Sequence, residues 1–415
     1  MSQPLIFITK KQAFLFACFL VMYEFLTYIA NDMIMPGMPY VVHSFHARES
    51  IIATSLTIYI LGGASLQVLL GPLSDAYGRR PLMLSGACLF FLFTLFIASS
   101  NTITQFLVAR FFQGMGLCFI GVVGYATIQE IFEEMDAIRL IAIMANATIL
   151  APLAGPVLGA LVIHYTSWRY IFLVIAACSL FALWGLWCYM PEPIGQKKRT
   201  GEIIPRMEFS ASEILKNYRL LLSNKVFCFA TLAIGTMGIA CVAWIALAPV
   251  ILTIEGKLTL IQYGLWQLPV FGATILGNWF LHHLTHKRTI RQIIIYGGII
   301  MFLGTISTSI LPYLYGNAYY YLLPGITVYF FGLSIVNAPL NRYCLYVTSV
   351  TKGTASALIS LSVMIIGAAG IEVANILYKH HSNLNFGLFC NGTQALFFIF
   401  IGIAFYLHKD SVELS

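Results

Sequence analysis

Long apolar runs alternate with short polar segments along almost the whole chain. The first run begins after Lys10 and Lys11 and extends to about residue 42, and eleven further runs follow it. Those runs lie at about 51–73, 82–99, 104–132, 138–164 and 168–190, and then at 226–253, 261–284, 290–313, 319–344, 354–378 and 386–407. Because a spanning helix requires roughly 20 predominantly apolar residues, this pattern predicts twelve transmembrane helices in two sets of six.

One long polar stretch, residues 191–224, separates the two sets of runs. It opens with two prolines that flank a glutamate, and it contains a short amphipathic piece between residues 214 and 222. We therefore predict an N-terminal six-helix bundle at 1–190, a cytoplasmic linker at 191–224 that lies on a membrane face, and a C-terminal six-helix bundle at 225–415.

Composition agrees with an all-α membrane protein. Of the 415 residues, 59% are hydrophobic and only 9% are charged, whereas soluble domains carry about 25% charged residues. Large extramembrane domains are excluded, and with them a surface that could bind nucleic acid, despite the net charge of +7. The nine cysteines all lie in apolar runs without CxxC spacing, a pattern typical of core residues rather than disulfides or a metal site.

The distribution of Lys and Arg predicts the orientation of the chain. When successive loops are assigned to alternate sides, 17 of the 23 basic residues lie on the side of the N-terminus and four on the other side. Because basic residues concentrate on the cytoplasmic side of membrane proteins, we expect both termini to be cytoplasmic.

Two carboxylates and one guanidinium lie where lipid or bundle interior is expected. Glu24 and Asp32 share the first span, and eight residues of helix separate them by about 12 Å, so both can face one cavity at different depths. Tyr28 and Asn31 extend the same polar face. A charge at the bilayer centre costs roughly 2.5–3.5 kcal/mol on insertion scales, so these groups are candidates for function.

Arg110 lies in the fourth span and must be paired with a carboxylate or with amide and backbone oxygens, because it does not lose its charge. Asp32 is the leading partner. The alternative is a polar cluster that only holds helices together. Glu130, near the end of the fourth span, fits a helix-end charge as well as a cavity residue, and the role of Glu372 is equally open.

Two motifs resemble those of the major facilitator superfamily. Residues 71–81, GPLSDAYGRRP, match its signature loop between spans 2 and 3, and residues 151–159, APLAGPVLG, resemble the fifth-span motif of its drug/proton antiporters. Ala76 replaces the usual basic residue of the loop, and alanines stand at 151 and 160 where glycines are common. The resemblance implies the major facilitator fold, two six-helix repeats in parallel orientation with a cavity at their interface.

The same resemblance implies roles for individual residues. It makes Glu24 and Asp32 the carboxylates for drug and proton, and Arg110 their coupling partner. The expected substrate-binding residues are Glu24, Tyr28, Asn31, Asp32, Tyr125, Met144, Asn146, Trp244 and Glu372. The expected gating residues are Asp75, Arg79, Arg80, Gly155 and Pro156. Membrane anchoring for the arginines and a passive kink for the Gly-Pro pair are alternatives.

The leading hypothesis is export of lipophilic neutral or cationic small molecules in exchange for protons, by alternating access in a bacterial inner membrane. No Walker motif is present, so we expect an ion gradient as driving force. The family resemblance implies that the ion is the proton, and we expect no cofactor and a monomeric protein. Three alternatives stay open: transport of one defined metabolite such as an organic acid or siderophore, a membrane-embedded enzyme, and a receptor. Short outer loops disfavour the enzyme, and twelve spans disfavour the receptor.

Overall fold

The structure is a computed structural model that describes residues 3–206, 210–285, 287–348 and 350–413. These segments are almost entirely helical, and β pairing within them is confined to two isolated bridges, between Ile6 and Lys198 and between Lys197 and Ile203. The predicted all-α fold class is therefore confirmed.

Seventeen α-helices follow one another along the described chain. In order they are α1 Lys10–Asp32, α2 Met38–Ser44, α3 Ile51–Ser65, α4 Leu70–Tyr77, α5 Arg79–Ala98, α6 Ile103–Gly114, α7 Gly116–Cys118, α8 Tyr125–Ile131, α9 Glu134–Tyr165, α10 Arg169–Tyr189, α11 Ala211–Ser223, α12 Lys225–Ala248, α13 Leu260–Thr285, α14 Ile290–Tyr315, α15 Leu323–Tyr346, α16 Lys352–Leu377 and α17 Asn383–Glu413. Two π-helical stretches, Phe119–Gly124 and Pro249–Glu255, continue α7 and α12.

The described helices can cross a membrane many times. Ten are long and apolar enough to do so, and an eleventh span results if the bent pair α3 and α4 counts as one. The predicted span at 261–284 corresponds to α13, which has 26 residues but carries the amide side chains of Gln262, Gln267 and Asn278 and is not among the ten. The protein is a multi-pass membrane protein.

The chain forms two compact units. Unit 1 contains residues 1–34 and 58–215. Within it α1 packs against α9 and α10, while α5 packs against α6 and α10. These are apolar helices whose facing surfaces bury their side chains, as expected for a bundle.

The N-terminal segment and the predicted linker contact each other at one end of unit 1. The Leu5 backbone N–H donates to the Ile131 carbonyl at 2.7 Å, and the Arg199 N–H donates to the Leu5 carbonyl at 2.7 Å. The N-terminal segment therefore contacts the end of α8, and the first part of the linker contacts the N-terminal segment.

Unit 2 contains residues 35–57 and 216–415. In it α12 packs against α15, α16 and α17, and α14 packs against α15 and α17. The division differs from the predicted boundaries, because residues 35–57 group with the second half of the chain and the boundary lies inside α11. Hydrogen bonds near the start of α3 support this grouping. The Thr54 hydroxyl donates to Glu372 and the Ser50 carbonyl accepts from Asn375 Nδ2, and both partners lie in the last turns of α16.

Candidate functional site

Four polar side chains on α1 are buried in unit 1, and one of them is the fully buried Thr27. Glu24, Asn31 and Asp32 have exposed fractions of 1%, 6% and 8%. The helix that carries them begins at a Thr9 cap, whose hydroxyl accepts from the Gln12 N–H at 3.1 Å, and it is otherwise largely apolar. Buried polar groups inside a membrane-spanning helix are costly, so each requires a partner or a ligand.

Glu24 has one occupied and one free oxygen. Its Oε1 accepts a hydrogen bond from the Tyr125 hydroxyl at 2.8 Å, while its Oε2 is buried without a hydrogen-bond partner among the residues that the structure describes. Tyr125 is the first residue of α8, directly after the π-helical stretch, and such stretches often occur at functional sites. The free oxygen can hold a proton or accept a bond from a ligand.

Arg110 contacts amide oxygens rather than a carboxylate. Its Nη2 donates to Asn31 Oδ1 at 2.5 Å and its Nη1 donates to Gln113 Oε1 at 2.8 Å. No ion pair joins it to Asp32 within the described part of the chain. The expectation that Asp32 is its direct partner was therefore wrong, because Asn31 occupies the position between them.

Asn31 connects the guanidinium to the carboxylate. While its Oδ1 accepts from Arg110, its Nδ2 donates to Asp32 Oδ1 at 3.3 Å. On the other side Gln113 Nε2 donates to the Thr94 hydroxyl at 2.9 Å. One amide side chain thus links Asp32 to Arg110 by hydrogen bonds. We call Glu24, Asn31, Asp32, Arg110 and Tyr125 the polar cluster of unit 1.

Tyr59 covers Arg110 and was not predicted from the sequence. The Arg110 guanidinium carbon lies 4.4 Å from the centre of the Tyr59 ring, and the Tyr59 hydroxyl donates to the Thr27 carbonyl on α1. The close crossing of α3 and α6 makes this possible. A Cβ on Gly62 or Gly114 would collide with the backbone of the opposite helix, so both glycines are required there.

Gly155 and Gly159 bring α9 against the end of α1. A Cβ on Gly155 would lie 2.7 Å from the Asp32 Cβ, and one on Gly159 would collide with the Met33 carbonyl. Pro156 is buried between them. The structure thus places the two predicted gating residues of this motif, Gly155 and Pro156, beside a carboxylate of the polar cluster.

The remaining predicted lining residues of unit 1 differ in exposure. Tyr28 on α1 is half-buried, Met144 on α9 is fully buried, and Asn146 is exposed. In the described part of the chain, no hydrogen bond joins any of these three side chains to the polar cluster. Their roles in substrate binding stay predictions.

Two predicted site residues belong to unit 2. Trp244 on α12 is fully buried, and its Nε1 donates to Gln267 Oε1 on α13 at 3.0 Å. Glu372 on α16 accepts a long hydrogen bond of 3.4 Å from the Thr54 hydroxyl at Oε2, while its Oε1 is buried without a partner in the described structure.

The predicted gating residues Asp75 and Arg79 form a charged cluster with Glu130, which we call the charge clamp. Arg79 is only 7% exposed. It pairs with Asp75 at 2.5 Å and with both oxygens of Glu130, at 2.7 and 3.1 Å. The clamp joins the ends of α4, α5 and α8, so Glu130 is a helix-end partner of Arg79 rather than a member of the polar cluster.

Glu192 is a further residue that the sequence did not reveal. Its carboxylate accepts from the backbone N–H groups of Arg79 and Arg80 at 3.0 and 2.9 Å, and thereby caps α5. Gly78 precedes that helix with φ of 108°, and a Cβ there would lie 2.5 Å from Glu192 Oε2. Arg80 itself donates to the Trp187 carbonyl at 2.7 Å.

Comparison with known proteins identifies the family. Residues 20–371 match the Major Facilitator Superfamily. The chain belongs to the major facilitator superfamily. It is 42% identical over 379 residues to proteins named "Multidrug transporter MdfA" from Yersinia pestis (strain Angola), covering 91% of each chain, and from Escherichia coli O6:H1, covering 91% of this chain and 90% of that one.

Solved structures support the major facilitator fold. The D-xylose-proton symporter has a TM-score of 0.74 at 14% identity and covers 94% of this chain and 98% of its own. The human organic anion transporter MFSD10 has a TM-score of 0.65 at 16% identity, with 95% and 100% covered. At these identities the likeness shows the fold alone, and it confirms that prediction.

As a member of the major facilitator superfamily the chain is a transporter and not an enzyme. The chemistry that the polar cluster can perform is reversible protonation of a buried carboxylate beside a fixed positive charge. Within the described residues no group of three or more His, Cys, Asp or Glu is arranged to hold a metal ion.

Proposed function

We propose that the protein exports lipophilic neutral or cationic small molecules in exchange for protons. The observation that carries the proposal is the free Oε2 of Glu24, a buried carboxylate oxygen on a membrane-spanning helix with no partner in the described structure. The relatives named multidrug transporters support the substrate class.

The charge balance of the polar cluster explains how proton and substrate exclude one another. With Glu24 and Asp32 both ionised, the cluster carries one net negative charge against Arg110, and with both protonated it carries one net positive charge. A cation is attracted to the first state and repelled by the second, and the attraction is strong in a medium of low dielectric constant. Binding of a cation therefore favours release of a proton, and protonation favours release of the cation.

Asn31 gives Asp32 and Arg110 a shared response to protonation. The ionised Asp32 accepts from Asn31 Nδ2, which in turn leaves Asn31 Oδ1 directed at Arg110. When Asp32 binds a proton, the demand for that amide donor falls and the bond between Asn31 and Arg110 can rearrange. Protonation at one residue can thus alter the position of the guanidinium. We assign Glu24 to substrate and proton, Asp32 to proton, and Arg110 to coupling.

The proposal also includes the cellular setting. We propose that both termini and the charge clamp lie on the cytoplasmic side of a bacterial inner membrane, which the excess of basic residues on one side of the predicted topology supports. We propose that the protein acts as a monomer by alternating access and that the proton gradient is its only energy source.

Transport by the purified protein in liposomes tests the function. An imposed pH gradient should drive uptake of a lipophilic cation and of a neutral lipophile into liposomes that are acidic inside, while an organic anion should be transported poorly. Glu49→Gln, a change at an exposed residue, is the matched control for substitutions in the polar cluster. Transport of one anion to the exclusion of the other two compounds would instead support the transporter of a defined metabolite.

A further inference from the structure

The helix α11 is held at the end of a membrane span. It ends at Ser223, and one residue, Asn224, separates it from α12. Asn224 caps α12 by accepting from the Phe227 N–H at 3.1 Å, and its Nδ2 donates to the Val347 carbonyl at 2.8 Å. Because α12 is apolar enough to cross the membrane, the C-terminal turn of α11 must lie at the membrane surface.

Two exposed leucines lie on one face of α11. Leu221 is fully buried, whereas Leu215 and Leu222 are 70% and 62% exposed. Residues seven apart lie on the same face of a helix, so these two leucines form one apolar strip beside the packed edge. An exposed apolar strip at the level where a span begins suits contact with lipid better than contact with water.

Basic residues flank the leucine strip. Lys216 and Arg219 are exposed on α11, and Arg219 lies four residues after Leu215 and three before Leu222, on the adjoining surface. Arg206 and Lys225, at either end of this stretch, are exposed as well. In the sequence, residues 206–225 carry these four basic residues against two acidic ones, Glu208 and Glu213, so the stretch has a net positive charge.

We propose that α11 is a docking helix for anionic phospholipid. Leu215 and Leu222 insert at the level of the glycerol groups, and Lys216 and Arg219 bind the headgroup phosphates. Lysine and arginine at the surface of an anionic leaflet gain attraction from its negative potential, and the apolar strip adds burial. The proposal goes beyond the transport function and does not depend on it.

Hydrogen–deuterium exchange of the full-length protein in lipid nanodiscs tests the proposal. Exchange of residues 211–223 is compared in discs of phosphatidylcholine and in discs that also contain phosphatidylglycerol. Both faces of a disc have the same composition, so the orientation of the protein does not matter. We expect slower exchange with phosphatidylglycerol, and a loss of protection of about fivefold for each basic residue removed.

Three variants complete the design. Lys216→Gln/Arg219→Gln should abolish the dependence on phosphatidylglycerol, and Leu215→Ser/Leu222→Ser should raise exchange in anionic discs. Lys10→Gln/Lys11→Gln removes the same charge from an exposed site outside α11 and should change neither. Equal exchange of residues 211–223 in the two lipids would overturn the proposal. So would a loss of protection in Lys10→Gln/Lys11→Gln equal to that in Lys216→Gln/Arg219→Gln. Protection in both lipids that no variant changes would mean that α11 contacts protein rather than lipid.

Discussion

The first long helices of the two units, α1 and α12, have similar surroundings but different polar content. In each helix a backbone carbonyl accepts a hydrogen bond from a tyrosine hydroxyl. Tyr59 donates to the Thr27 carbonyl on α1, and Tyr329 donates to the Met237 carbonyl on α12 at 2.5 Å. On α1 the neighbouring polar residues include two carboxylates. On α12 no charged residue follows Lys225 at its first position.

Two buried side-chain contacts of unit 2 are neutral, although the acid Glu372 also lies in this unit. They join Trp244 to Gln267, and Asn391 Nδ2 to the Ser309 hydroxyl at 2.7 Å. Neutral pairs of this kind orient helices and ligands but cannot exchange a proton near neutral pH. Under the proposed function, we therefore expect proton coupling to belong to unit 1 and unit 2 to contribute packing and substrate affinity.

The largest effect is expected for the carboxylates of α1. Glu24→Gln and Asp32→Asn should each reduce pH-driven transport to the level of empty liposomes, because an amide of the same shape cannot hold and release the proton. Transport assays in liposomes measure this, with Glu49→Gln as control and thermal unfolding to verify folding. Full transport by both variants would remove the distinction between the units.

Arg110→Lys should reduce transport by about tenfold or more, because one ammonium cannot replace two directed bonds and stacking on Tyr59. Arg139→Lys is the matched control, since Arg139 is exposed at 71% of its side chain and should tolerate the change. The same transport assay decides. Normal activity of Arg110→Lys would mean that only its positive charge matters.

A smaller effect, on affinity alone, is expected in unit 2. Trp244→Phe leaves Gln267 Oε1 buried without its donor and should weaken substrate binding by about threefold to tenfold, with the ratio of protons to substrate unchanged. The unpaired oxygen should also lower the thermal stability of Trp244→Phe. Adding Gln267→Leu removes this oxygen and should recover most of that stability. Binding titrations measure the substrate affinity, and proton counting measures the ratio of protons to substrate. A changed proton ratio would extend coupling to unit 2.

Glu372 should have the smallest effect, although it is an acid. Its contact with Thr54 is a long hydrogen bond, and Glu372→Gln keeps an acceptor there, so transport should change by less than about threefold. Thr54→Val serves as the parallel variant. A loss of pH-driven transport in Glu372→Gln as complete as in Glu24→Gln would place a second coupling acid in unit 2.

Much of the fold was predictable because lipid imposes a simple pattern. Runs of about 20 apolar residues specify spans. The family motifs identified the loop between spans 2 and 3 and the fifth span. The helix α13 was predicted as a span like the others, but its amide side chains lower its apolar character, and it is not among the ten helices apolar enough to cross a membrane. The grouping of residues 35–57 with unit 2 was not predictable, because it depends on contacts of Ser50 and Thr54 with residues more than 300 positions away.

The charged residues of the candidate site could be found from the sequence, but the hydrogen bonds between its side chains could not. A carboxylate or arginine within an apolar run stands out, so Glu24, Asp32 and Arg110 were identified from the sequence. The insertion of Asn31 between Asp32 and Arg110 was not, because an amide next to an acid carries no signal of which group it contacts. Glu192 was hidden in the same way, since a single acid in a polar linker gives no indication that it caps α5.

The most direct test of the account is proton release on substrate binding. The purified protein in detergent, in weakly buffered solution, is mixed with a lipophilic cation while a pH-sensitive dye reports free protons. We predict that the wild type releases protons and binds the cation more tightly as pH rises through the range in which Glu24 and Asp32 ionise. A neutral lipophile should show a weaker dependence on pH. Binding of the cation without proton release at any pH, or tighter binding at low pH than at high pH, would contradict the account.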